Sequence, residues 1–441
     1  MTDMAKGFNK MLTLALVLMQ VSVIFGGTLS TETQETPLRW RTRVITVAIS
    51  SSLLRPAPNV KHGTDMVAAV RRSLRTWEEA GGIQFREVFA EKQNVSPSGA
   101  AGDGVNLITI APTAENVVLF SKNADEVAAT TRVFFDARGR ISEGDIVLSP
   151  YQQFSTDGTF GTFDLEATLT HEIGHVLGLE HSFVRGSAMY ENFGKNGVFG
   201  IQAFANRTLS EIDRTELRAK YGFEAQENCC GTLTAKLLTP DGRSAVNLQV
   251  WLEDNATGKV VAQSETGTGG IVEFSGLPNG SYSLYSARKE RAKRSLPMQL
   301  IGIYDVASND PVSVSKKLET GSDDLEIKYT GLNGQLTLSS VPINSGRSYT
   351  IFVGGRNLSP KNLSLRFSSP FLQVSSGSVV SHDYGSDLSV ISFEVTADAQ
   401  TPVGEYSIFA ESSTGARSAV PGGISVRTFL NPYSNFVFDS K

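Results

Sequence analysis

Eleven consecutive residues, His171-Glu172-Ile173-Gly174-His175-Val176-Leu177-Gly178-Leu179-Glu180-His181, place three imidazoles and a carboxylate at the spacing a metal site requires. They constrain the local fold first. Residues four apart share one face of a helix, so a helix entered before His171 aims His171 and His175 at one point with Glu172 beside them. Gly178 can end that helix in a left-handed conformation, and the turn returns His181 from a loop as third ligand. Three neutral imidazoles suit zinc and leave a fourth position for water, whose proton Glu172 is placed to take. Such a set implies hydrolytic chemistry. Histidines that merely cap or fill a helix surface are the plainer reading, but the chain has five histidines and three of them fall in this window.

The spacing H-E-x-x-H-x-x-G-x-x-H is that of the metzincin metalloproteases. Downstream, Ser187-Ala188-Met189-Tyr190 resembles their Met-turn, whose thioether lies as a soft apolar floor under the ligating imidazoles. His181 followed by Ser182, and Met189 followed by Tyr190, resemble the matrixin branch, the family of the matrix metalloproteinases. The likeness extends over residues 36–225. Arg39-Trp40-Arg41 leading into Val44–Ala48 is similar to the Trp-led first strand of that domain. Val67, Val70, Leu74 and Trp77 give the spacing of an amphipathic helix over 65–80, and Ile83-Gln84-Phe85 reads as the next strand. Further strands are expected at 106–110, 131–135 and 145–148. Leu209–Asp213 through Gly222 resembles the closing helix, with Ser210 as N-cap and Gly222 just past its end.

The resemblance implies an α+β zinc endopeptidase domain in which His171, His175 and His181 hold one zinc, Glu172 is the general base and Met189 the Met-turn residue. By the same analogy the substrate, a protein or peptide, lies extended along an edge strand at 130–135, which makes Thr130, Thr131, Arg132 and Val133, with Tyr190, substrate-binding candidates. Tyr190 follows Met189 directly and is not assigned as a ligand. There are three departures. Arg132 stands where animal relatives carry a histidine, and neither His62 nor His382 is placed to rebuild a second zinc site. Glu191 replaces the proline that usually follows the tyrosine. No Cys precedes the domain, so no cysteine-switch propeptide is expected. Calcium stays open: Asp125, Glu126, Asp136, Glu143, Asp145 and Asp157 could supply oxygens, yet no loop has EF-hand spacing and no ligand is assigned.

At 441 residues the chain is too long for one core, and three domains are expected. Lys6 and Lys10 precede an apolar run from Met11 to Phe25, so residues 1–27 read as a signal peptide and the protein as secreted; an uncleaved anchor is the lesser alternative. A net charge of −5 and no broad basic patch in the sequence argue against nucleic acid or an anionic membrane as main partner. The two cysteines are adjacent, Cys229-Cys230, where a mutual bridge needs a strained ring; free or intermolecular thiols are about as plausible. So few cysteines in an exported chain fit a bacterial protein better than an animal one.

Past Gly222 the chain turns to alternating apolar residues punctuated by Pro240-Asp241-Gly242 and Pro278-Asn279-Gly280, the pattern of all-β sandwiches. Residues 229–325 resemble a carboxypeptidase regulatory-like sandwich, with Arg288–Arg294 as a solvated hairpin loop. Residues 330–427 resemble an immunoglobulin-like module, and 428–441 form a tail of unknown role. These modules carry no chemical motif and suggest docking to a cell surface or matrix. The catalytic unit, as a monomer, is therefore expected to fold and work without them. The rival expectation is a non-catalytic extracellular adhesin that retains a metalloprotease fold, which the intact Glu172 disfavours.

Overall fold

The computed structural model describes residues 37–96, 102–122, 127–192, 194–200, 207–222, 229–288, 296–322, 324–385 and 388–427. The expected signal peptide, most of the Arg288–Arg294 loop and the 428–441 tail lie outside these. Among the described residues no helix is long and apolar enough to cross a membrane.

The first apolar core is formed between a sheet and two helices. Strands β1 (Val44–Ser50), β2 (Gln84–Ala90), β3 (Leu107–Thr109), β4 (Ala129–Phe135) and β5 (Ile141–Leu148) lie in the order β2-β1-β3-β5-β4. All neighbours are parallel except β4, which runs antiparallel to β5 and is an edge strand. The first helix, Met66–Ala80, starts where Asp65 accepts the Ala68 N–H and stops at Gly81, whose φ of 96° suits only glycine. Its Val70, Leu74 and Trp77 pack against Leu169 and Ile173 of a second helix, Leu165–Val176, and against Ile45, Val47 and Ile146 of the sheet. Trp77 Nε1 donates to Thr170 O at 2.8 Å, which fixes the two helices together.

Two sandwiches follow. In one, the sheet of 260–265, 248–254, 280–288 and 299–306 faces a three-stranded sheet of 271–277, 231–238 and 312–317 over Leu233, Val250 and Leu284. In the other, a four-stranded sheet of 341–344, 417–427, 404–412 and 363–367 faces a six-stranded one over Ile351, Phe393 and Ile424. That last module already begins with the strand Glu326–Leu332, whose Ile327 belongs to its core, rather than at 330. Cys229 and Cys230 are joined to each other.

The first unit packs against both sandwiches, which bears on the expectation that it folds and works without them. Val184 and Ile212 of the first unit are buried with Trp251, Tyr285 and Phe409, which come from the two sandwiches. Phe199 is 3% exposed and sits in the core of the last module, where Asn333 Nδ2 donates to its carbonyl at 2.9 Å. Buried Arg185 donates to Thr330 Oγ1 at 2.9 Å and Lys328 O at 2.6 Å, and its own N–H reaches Pro421 O at 3.0 Å. Gly422 makes that approach feasible, since a Cβ there would meet Arg185 O at 2.0 Å. On the other side Arg218 Nε donates to Gly276 O at 3.1 Å and Gln263 Nε2 to Glu216 Oε1 at 2.9 Å.

Candidate metal centre

The second helix carries His171 and His175 one turn apart and ends at Val176, one residue later. Gly178 takes a φ of 82°, its N–H bonds His175 O at 2.9 Å, and Leu179 N–H bonds Gly174 O at 3.0 Å. This is the Schellman arrangement, in which the left-handed residue reverses the chain. His181 is thereby returned to its two partners: the three ring centroids lie 4.7, 4.7 and 5.2 Å apart, and one ligand atom from each ring lies within 4.8 Å of the others. Among the described residues this is the one cluster of three or more metal-ligating side chains.

The hydrogen bonds fix which atoms face inward. His171 Nδ1 lies 2.8 Å from Ala188 O, and His175 Nδ1 lies 2.9 Å from Leu179 O. A carbonyl can only accept, so both protons sit on Nδ1 and both Nε2 atoms present lone pairs. Those two Nε2 atoms are 3.1 Å apart. Two lone pairs at that distance repel unless a cation lies between them, and tetrahedral zinc with bonds of about 2.0–2.1 Å would set its nitrogens about 3.3–3.4 Å apart. The donor set therefore fits zinc. Burial, reinforced by the neighbouring rings, holds His171 well below the ordinary imidazole value and pushes His175 down to about 3. Both are neutral, the form that binds metal.

Glu172 is 6% exposed, and burial pushes its carboxyl up to about 7, countered by a hydrogen bond from Thr131 Oγ1 to Oε2 at 2.5 Å. Thr131 is thus brought to the site through Glu172. Its neighbours correct the sequence expectation: Thr130, Arg132 and Val133 are buried too, at 6%, 3% and 4% exposure, so their side chains are closed to a substrate. Arg132 turns inward, donates to Ser96 O and lies beside Asp145 and Glu143. Only the backbone of β4 remains in the role expected of an edge strand.

Met189 is fully buried against the metal-bearing helix at Gly174, between His171 and His175 in the chain. Gly174 makes room for it, because a Cβ at 174 would meet Met189 Sδ at 2.2 Å and Trp77 at 2.9 Å. Ser182 N–H donates to Met189 O at 2.8 Å, which ties the third ligand's neighbour to the turn. Sequence reasoning missed the residue that holds this turn. Asp213 accepts from Ser187 Oγ at 2.6 Å, Ala188 N at 2.9 Å and Met189 N at 3.3 Å, while it also completes the capping box with Ser210 of the closing helix, Glu211–Tyr221. Ala188, held by its N–H, offers its carbonyl to His171. Tyr190 is no substrate contact: it is 7% exposed and its hydroxyl donates to Leu338 O of the last module at 2.8 Å.

The described calcium candidates each serve the chain's own donors. Asp136 accepts from the N–H groups of Arg138 and Arg140 at 2.8 and 3.0 Å, Asp157 from Lys61 and Thr159, Glu143 from Asp103 and Gly104, and Asp145 from Leu107 at 3.0 Å. Asp125 and Glu126 lie outside the described residues.

Comparison with known proteins agrees with this geometry. Residues 39–221 match the model of a family described as Matrixin. Matrix metalloproteinase-21 of Cynops pyrrhogaster is 29% identical over 155 residues, 35% of this chain and 20% of that protein, so the chain spans about a fifth of that relative's length. Among solved structures, the major pilin subunit BcpA of Bacillus cereus covers 44% of this chain and 68% of its own at 12% identity, with a TM-score of 0.18. The glucan utilization protein SGBP-B of Bacteroides ovatus covers 47% and 45% at 14% identity, also with a TM-score of 0.18. These scores are too low to transfer a fold.

Proposed function

We propose that the matrixin-like domain of residues 39–221 is a zinc-dependent endopeptidase exported from the cell that makes it. The coarser part, a metallopeptidase domain, follows from the family match. The observation that carries the finer reading is the pair of facing Nε2 lone pairs beside the carboxylate of Glu172. His171, His175 and His181 would hold the zinc, which would supply a Lewis acid for the scissile carbonyl and lower the pKa of water toward neutrality. Glu172 takes the water's proton and later delivers it to the leaving amine. Thr131 orients the carboxylate by binding Oε2, which leaves Oε1 for the water. The substrate chain lies along β4 and adds backbone hydrogen bonds that are largely blind to its sequence.

Digestion of a denatured protein by the full chain tests this. Cleavage should vanish with a chelator and return with zinc. Persistent absence of cleavage in zinc-loaded protein would favour the adhesin reading, in which the sandwiches dock and the metal is structural.

A further inference from the structure

A cleft of about 500 Å³ opens at the C-terminal end of the metal-bearing helix, and none of the three clustered histidines lines it. Arg39, Arg41, Arg43, Arg138, Arg140 and Lys220 line it. Three separate segments supply these charges, and backbone pairing joins two of them: Arg39 N–H donates to Gly139 O at 2.9 Å and Ile141 N–H to Arg39 O at 3.0 Å. Lys220 reaches in from the closing helix, where its ammonium donates to Leu38 O at 3.3 Å. Net charge and linear sequence gave no sign of this, because the cluster is assembled by tertiary structure.

Structural roles do not account for the guanidinium groups of Arg39, Arg41, Arg138 and Arg140. The last carbonyls of the metal-bearing helix already have neutral donors, Trp40 Nε1 to Val176 O at 2.8 Å and Tyr221 Oη to Leu177 O at 2.7 Å. Among the described residues no carboxylate lies within 4.0 Å of the guanidinium of Arg39, Arg41, Arg138 or Arg140. Glu216 and Glu180 act on Lys220, while Asp136 spends Oδ1 on the backbone N–H groups of Arg138 and Arg140. Like charges gathered in one concavity repel, and a cleft of one sign focuses its field on a counter-ion. Guanidinium forks match tetrahedral oxyanions two bonds at a time, and a volume of this size accommodates a small molecule or a short glycan segment. Trp40 and Tyr221 furnish the apolar wall such sites commonly have.

We propose that this cleft is a second binding site, separate from the metal centre, for a polyanion bearing several sulfate or phosphate groups. It is independent of whether the metal centre hydrolyses peptides. Calorimetry of the full chain at low salt, with a sulfated oligosaccharide, its desulfated counterpart and tripolyphosphate as probes, tests it. At least one of the two charged probes should bind, more weakly as salt is raised, and the desulfated sugar should not. Binding of the sugar alone assigns a sulfated glycan, and binding of tripolyphosphate alone assigns a phosphate source. The double variant Arg138→Gln/Arg140→Gln should weaken binding by about tenfold or more. The single variant Arg41→Gln, at an exposed position, should act in the same direction if the double variant folds poorly. No binding of either charged probe, or affinity unchanged in folded variants, would overturn the proposal.

Discussion

Ending the chain after Ala225 removes both sandwiches and uncovers the surface they share with the first unit. Val184, Ile212 and Phe199, at 0%, 0% and 3% exposure, owe their burial to Trp251, Tyr285, Phe409 and the core of the last module. Full burial of such side chains contributes about 1.5–3 kcal/mol each, so exposing three costs roughly 5–9 kcal/mol as an upper bound. Arg185 adds little, since water replaces Thr330 and Lys328 around its guanidinium. Domains of this size are stable by about 5–15 kcal/mol, so most of the margin goes. Tyr190 also loses its anchor on Leu338, and the segment beyond it loses the seat of Phe199. The assay is urea unfolding followed by Trp40 and Trp77 fluorescence in the zinc-loaded 36–225 fragment, with Trp251→Phe full-length protein as reference, alongside kcat/KM on a short peptide. The fragment should unfold at much lower urea and turn over poorly. A fragment with the same midpoint, slope and kcat/KM as the reference would refute the argument and restore an autonomous catalytic unit.

Replacing Glu172 by Ala should lower kcat by roughly a hundred- to ten-thousand-fold while zinc content stays that of the parent, because the carboxylate acts on water and is no ligand. His181→Ala should instead reduce zinc content, and a variant that keeps stoichiometric zinc would count against the three-imidazole site. Elemental analysis of the native protein should give one zinc per chain; two tightly held ions would mean that the inward-turned Arg132 does not stand in place of a second metal. Burial pushes Glu253 up to about 7 against an ordinary 4.5, with Ser407 and Trp251 hydrogen bonds pulling the other way. A folded-state value above the unfolded one is stabilising below the lower value and loses that contribution as pH rises through the higher. Stability should therefore decline between pH 4.5 and about 7, by on the order of 3 kcal/mol from this group. Glu253→Gln should raise Tm at about pH 8.5 and leave it little changed at about pH 5, and equal shifts at both would show that Glu253 is not the group responsible.

What was legible in the sequence was local. The metal ligands lie within a helix and the turn that ends it, so period, Gly178 and the cap at Ser210 could be read directly. The Met-turn was legible for the same reason. Thr131 on Glu172 was not, because it joins residues 41 apart and depends on which strand lies at the sheet edge. The burial of the Thr130 to Val133 side chains was not legible either, because alternation along a strand does not say that both faces of β4 are covered. The bond from Tyr190 to Leu338 spans 148 residues, and nothing in a Gly- and Ser-rich β sequence announces which of its carbonyls will meet a distant tyrosine. Composition failed for the basic cleft because a sum over the chain erases the position of each charge.

Asp213 carries a consequence for the order in which the protein matures. A chain made from its N-terminus presents His171, His175 and His181 before the residue that sets the Ala188 carbonyl against His171. Until the closing helix forms around Ser210 and Asp213, the Ala188 N–H lacks its carboxylate acceptor, and the Ala188 carbonyl that faces His171 is held less firmly. The imidazoles can be present and solvent-accessible during synthesis yet bind metal only loosely. On the zinc-peptidase reading proposed above, tight loading would mark the completion of the domain, and the nascent chain would stay inert toward itself for as long as that helix is missing.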